Sequence, residues 1–113
     1  MGPKSVTPDE VKQMLRDGQE VAFLDVREPE EWDASEMILP AAIRVPPDRV
    51  EPSLARIPHG RPIVVYGSKA RAEAAPAIAD RLLAHGWEAV HALEGGFEAW
   101  ADSGHPVEEK QEG

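Results

Sequence analysis

Apolar positions along this chain fall into two alternating patterns. Val21-Ala22-Phe23-Leu24, Ile63-Val64-Val65-Tyr66 and Ala89-Val90-His91-Ala92-Leu93 are short runs with little polar interruption. Runs of that length predict strands covered on both faces, as in a parallel sheet. Ala42-Ile43-Arg44-Val45 is a further short strand, stopped by Pro46-Pro47. Between these runs the spacing becomes helical. Thr7-Pro8-Asp9-Glu10 is a helix start, with Thr7 as cap, Pro8 at the first position and Glu10 placed for a capping box. Val11, Met14 and Leu15 then share one face, and Gly18 is a stop. Pro29-Glu30-Glu31-Trp32 predicts an acidic helical turn, and Asp48 to Ile57 a weak helix apolar at Val50, Leu54 and Ile57. The longest helical pattern covers residues 69–85, with Ala75, Ile78, Ala79, Leu82 and Leu83 on one face and Gly86 ending it. Pro76 inside it predicts a kink or a loosened first turn. Gly95-Gly96 opens a last helix carrying Phe97 and Trp100, closed near Gly104.

Strands alternating with helices predict parallel βαβ units in a three-layer α/β/α arrangement. Ligands of such sheets bind beyond the carboxyl ends of the strands. Those ends carry Asp25-Val26-Arg27-Glu28, Gly67-Ser68-Lys69-Ala70-Arg71 and Glu94-Gly95-Gly96.

A length of 113 residues predicts a single domain over 1–113, with a core of about 5–107 and a solvated polar tail at 108–113. The net charge of −9 argues against nucleic acid and anionic membranes as partners, and favours a basic protein if a protein partner exists. Met1 to Ser5 reads as a short polar leader rather than a signal peptide, and no apolar run spans a bilayer. A cytoplasmic monomer without cofactor is expected. The chain has no cysteine, which excludes disulfides, thiolate metal sites and thiol catalysis. His59, His85, His91 and His105 are too scattered to predict a metal site.

Three stretches carry a family resemblance over about residues 5–107. "FLDVREPEEW" resembles the Leu-Asp-x-Arg-x-x-x-Glu-aromatic segment of rhodanese domains. "LEGGFEAWADSGHPV" is similar to their closing segment, and "PIVVY" stands where they carry the strand before the active-site loop. The resemblance implies a five-stranded parallel sheet flanked by helices, and a family chemistry of sulfane-sulfur transfer through a cysteine persulfide. Members active in that chemistry place Cys directly after the strand, commonly as Cys-x-x-Gly-x-Arg. Here Tyr66 runs into Gly67-Ser68-Lys69-Ala70-Arg71. Either Gly67 replaces the Cys and the arginine arrives one residue early, or the Cys is deleted before Gly67. Deletion is slightly preferred, because it keeps Arg71 in the family's arginine place. The family's Gly-His-Ile-Pro-Gly-Ala segment is altered to Met37-Ile38-Leu39-Pro40-Ala41-Ala42.

Persulfide transfer needs a thiolate stabilised by amide N–H groups, a helix start and nearby cations. Loop 67–71 retains those surroundings without the thiol, and so predicts no catalytic residue. Ser68, Lys69 and Arg71, with Arg27 at the rim, form a candidate site for sulfate, thiosulfate or a phosphate-like anion. Against this, Ser68 can simply cap the helix while both cations face solvent. Asp25 can pair with Arg27 or bond turn amides, and Gly95-Gly96 permits a tight turn that supports the loop. Glu28, Glu30 and Glu31 read as a solvated helix start. Trp32 and Trp100 read as packing residues, and Trp87 as partly exposed. A serine nucleophile is disfavoured, since His59 precedes the strand and falls at the far end of the sheet.

The expectation is a catalytically inactive rhodanese-like binding module of the thiosulfate sulfurtransferase family. One alternative is a sulfurtransferase from which the cysteine has been removed. A second is a phosphate- or sulfate-binding relative of the phosphatases that share the fold.

Overall fold

The computed structural model describes residues 4–110. The main sheet has five parallel strands: β1 (Lys4–Val6), β2 (Ala22–Asp25), β4 (Ile43–Arg44), β5 (Ile63–Tyr66) and β6 (Val90–Leu93), in the order β1-β6-β5-β2-β4. The helices are α1 (Pro8–Arg16), α2 (Pro29–Ala34), α3 (Val50–Ser53), α4 (Ala74–Ala84) and α5 (Gly96–Asp102). β3 (Met37–Ile38) and β7 (Glu108–Glu109) form a separate antiparallel ribbon.

Side-chain alternation along the strands builds two cores. Ala22, Leu24, Ile63 and Val65 join Val50, Ile78, Ala79 and Leu82 beneath α3 and α4. Phe23, Val64 and Tyr66 join Val11, Leu39 and Trp100 beneath α1 and α5. Helices thus cover both faces of the sheet, which explains why its central strands read as continuous apolar runs. At the carboxyl ends, Asp25 lies opposite Tyr66 in the β2–β5 register. The buried part of the site therefore starts where these two neighbouring strands stop.

The capping box at Thr7 forms as predicted: Glu10 N–H donates to the Thr7 hydroxyl at 3.1 Å, and Thr7 N–H to the Glu10 carboxylate at 2.8 Å. Four predicted features differ. The supposed leader is structured at Lys4 and Ser5, which pair with His91 and Ala92 as the edge strand; Met1–Pro3 lie outside the described residues. The supposed tail is tied down by main-chain bonding, with Glu108 opposite Ile38 and Glu109 opposite Met37. Its side chains stay exposed, and for that reason its composition gave no strand signal; residues 111–113 lie outside the description. Trp87 is only 7% exposed: its indole N–H donates to the Pro58 carbonyl at 2.9 Å and its ring stacks on His59. Finally, the pattern over 69–85 resolves into a 3-10 turn at Lys69–Arg71 followed by α4 from Ala74. Pro76 falls in the first turn of α4, where the missing N–H leaves no intrahelical bond unmade.

Candidate functional site

Asp25 is fully buried and Arg27 is 4% exposed. The Arg27 guanidinium grips the Asp25 carboxylate through Nε at 3.0 Å and Nη2 at 2.7 Å, and the Arg27 amide donates to Asp25 Oδ1 at 3.0 Å. Arg27 Nη2 also donates to the Met37 carbonyl at 3.0 Å. Its guanidinium carbon lies 4.6 Å from the centre of the Phe97 ring. From the other side, Arg44 donates to the Asp25 and Arg27 carbonyls. The Tyr66 hydroxyl donates to Asp25 Oδ2 at 2.7 Å and accepts from the Leu39 amide at 3.2 Å. Asp25, Arg27 and Tyr66 thus each have partners, as burial requires.

The titration behaviour follows from this network. Burial works to lower the pKa of Arg27, but the hydrogen bond and charge of Asp25 outweigh it, leaving Arg27 above its usual range. Arg44 goes the other way, because burial prevails over its attraction to Asp25. Burial raises Tyr66, and the adjacent Asp25 charge raises it further, so the phenol stays protonated as a donor.

Over this base lies loop 67–71. Gly67 and Ser68 are buried, whereas Lys69, Ala70 and Arg71 are exposed. The Ser68 hydroxyl accepts from the Arg71 amide at 3.2 Å, as a cap does, and donates to Glu31 Oε2 at 2.6 Å. The Lys69 amide donates to Glu98 Oε1 at 2.9 Å. Neither the Lys69 nor the Arg71 side chain is in an ion pair among the described residues. A cavity of about 200 Å³ borders the loop, lined among others by Gly67, Ser68, Arg71, Glu94 and Gly96.

The glycine pair fixes how close the last helix comes. The Phe97 amide donates to the Gly67 carbonyl at 2.8 Å. Gly96 has φ +64, and a Cβ there would stand 2.5 Å from the Gly67 oxygen. Gly95 has φ +76, and a Cβ would stand 2.5 Å from that of Ala99. Both positions therefore need glycine. Gly67 does not: its Cβ would meet only ordinary contacts of 3.8–3.9 Å, to Arg71, Ala74 and Val26.

Ser68, Lys69, Arg71, Gly95 and Gly96 thus gather at one place, with Asp25 and Arg27 in the base beside them. Glu31 and Glu98 also reach the loop, although neither is expected there from the sequence. The sequence predicts a solvated Glu31, whereas its carboxylate bridges α2 to the loop. Glu98 lies 29 residues from its partner Lys69, and nothing in its local pattern points there. His59 stands beside Pro62, before β5, so it is remote from Ser68. No cluster of His, Cys, Asp and Glu among the described residues could hold a metal ion.

A doubly wound parallel α/β sheet, with a loop-to-helix junction at its carboxyl edge as the candidate site, defines the class. Within that class, a family model described as the rhodanese-like domain matches residues 7–103, and the chain belongs to that family. It is 35% identical over 104 residues to the probable adenylyltransferase/sulfurtransferase MoeZ of Mycobacterium tuberculosis, covering 90% of this chain but 26% of that protein. The chain thus spans about a quarter of this relative. It is 31% identical over 103 residues to a sulfurtransferase of Allochromatium vinosum, covering 90% of this chain and 92% of that one. The crystal structure of a rhodanese-like domain protein from Staphylococcus aureus matches with a TM-score of 0.77 at 29% identity, over 96% of this chain and 99% of that one. Among the described residues, no helix is long and apolar enough to cross a membrane.

Proposed function

We propose that this chain is a rhodanese-like binding module that does not carry sulfur, and that loop 67–71 is its contact surface for a small oxyanion. The carrying observation is chemical. The chain contains no cysteine, and the loop's one hydroxyl, on Ser68, donates to the Glu31 carboxylate. Whatever that carboxylate does to its basicity, an alcohol oxygen cannot hold a sulfane sulfur as a persulfide, which needs a thiolate. Lys69 and Arg71 supply exposed positive charge at the loop, and Arg71 borders the adjoining cavity. Arg27 is committed to Asp25, so its part is to shape the base of the site. The net charge of −9 favours a basic protein as partner. The direct test is thiocyanate production from thiosulfate and cyanide. The protein is expected to match a heat-killed control, and turnover well above that control overturns the proposal.

One observation favours a second reading, a sulfurtransferase that has lost its cysteine. Position 67 has room for a side chain at ordinary contact distances. Gly67→Cys, and separately a Cys inserted between Tyr66 and Gly67, test whether the surroundings still support transfer. Thiocyanate formation by either variant would show a retained cradle. Silence from both, with the fold intact, would count against this second reading.

A further inference from the structure

We infer that the loop's resident anions are two carboxylates of the chain itself, Glu98 and Glu31, and that an external oxyanion binds only by displacing Glu98. This deepens the oxyanion reading of loop 67–71 and rests on it. Two of the donors that an oxyanion would use at the loop are already engaged, while the Lys69 and Arg71 side chains are in no ion pair among the described residues. The Lys69 amide points to Glu98 Oε1 at 2.9 Å and the Ser68 hydroxyl to Glu31 Oε2 at 2.6 Å. Carboxylate oxygens present the same acceptor chemistry as sulfate or phosphate oxygens.

The two glutamates are not equivalent. Glu31 is part-buried and anchored at both ends, because its other oxygen accepts from the Glu28 amide at 2.9 Å within a capping box. Glu98 is exposed, stands in the first turn of α5, and makes one hydrogen bond among the described residues. Glu98 is therefore the carboxylate that can swing away. The glycine turn sets its reach: Gly96 lets α5 start against the Gly67 carbonyl, bringing the side chain two residues later over the Lys69 amide. A tethered ligand acts at an effective concentration on the order of millimolar or more, so a dilute external anion competes poorly with it.

The test uses amide NMR spectra of the full chain, titrated with sulfate, for the wild type, Glu98→Ala and Glu98→Gln. Glu98 is exposed, so neither change should disturb the core, and circular dichroism checks the fold. Before any sulfate is added, Glu98→Ala should shift the Lys69 amide and speed its hydrogen exchange. With sulfate, shifts at Lys69, Ala70 and Arg71 should reach half-saturation at about threefold to tenfold lower concentration in Glu98→Ala than in the wild type. Glu98→Gln keeps an acceptor and loses the charge, so it should fall between. An unchanged Lys69 amide in Glu98→Ala would overturn the inference at once. Equal sulfate affinity in wild type and both variants would overturn self-occupation while leaving the oxyanion reading standing. Absence of sulfate shifts in all three proteins would remove both.

Discussion

The Tyr66 hydroxyl donates to Asp25 Oδ2 at 2.7 Å, joining the last residues of two adjacent strands beneath the candidate loop. The same hydroxyl accepts from the Leu39 amide, so one phenol ties β2, β5 and the segment after β3 together. Tyr66→Phe should therefore destabilise the fold by about 1–3 kcal/mol, because the buried Leu39 amide loses its partner. Asp25→Ala should cost more, about 3–5 kcal/mol, since it strands Arg27 as a buried unpaired cation. Urea unfolding of both variants measures the order, and a milder Asp25→Ala would refute the network's assigned hierarchy.

Glycine-to-alanine changes on either side of the loop should have opposite outcomes. At Gly67 a methyl meets only ordinary contacts, so the change should stay within about 1 kcal/mol. At Gly96 the methyl would meet the Gly67 carbonyl at 2.5 Å, from a left-handed backbone. That change should cost more than about 2 kcal/mol, combining left-handed strain with a clash against rigid backbone. Thermal unfolding of the pair compares them directly, and equal melting temperatures would contradict the close approach.

Ala41 has φ +55, a conformation that favours glycine. Its amide donates to the Glu108 side chain at 3.0 Å, which helps hold the turn against the C-terminal ribbon. Ala41→Gly relieves left-handed strain of about 1–2 kcal/mol and adds unfolded-state entropy, for a net gain of about 0.5–1 kcal/mol. A melting temperature at or below the wild-type value would show that the turn is not strained.

Acid should weaken the fold partly through His91. Burial lowers its pKa from the ordinary 6.5, nearby Lys4 lowers it further, and its Nδ1 has no hydrogen-bond partner among the described residues. The folded state thus prefers the neutral ring. That contribution is complete above about pH 6.5, the unfolded value, and is lost as pH falls toward the lower folded value. His91→Leu should flatten the stability curve in that interval. Urea midpoints from pH 7 down to pH 5 check this, and parallel curves for the two proteins would exclude His91 as a contributor.

The hydrophobic pattern sufficed for the parallel sheet. Continuous apolar runs at Ala22–Leu24 and Ile63–Tyr66 are what helices on both faces demand, and that cause acts locally in the chain. β1 and β7 left no such trace: their side chains are mostly exposed, and only main-chain pairing makes them strands. The same division runs through the site. By itself the sequence determined that no thiol chemistry is available, that a loop enters a helix after Tyr66, and that Ser68, Lys69 and Arg71 lie in it, since composition and order are enough for each. Only the tertiary structure decided that Arg27 is spent on Asp25, and that Glu31 and Glu98 reach the loop from other helices. The two glutamate contacts join residues far apart in the chain, and that of Glu98 depends on how closely a glycine turn lets α5 approach β5. That distance is a property of packing and carries no local signal.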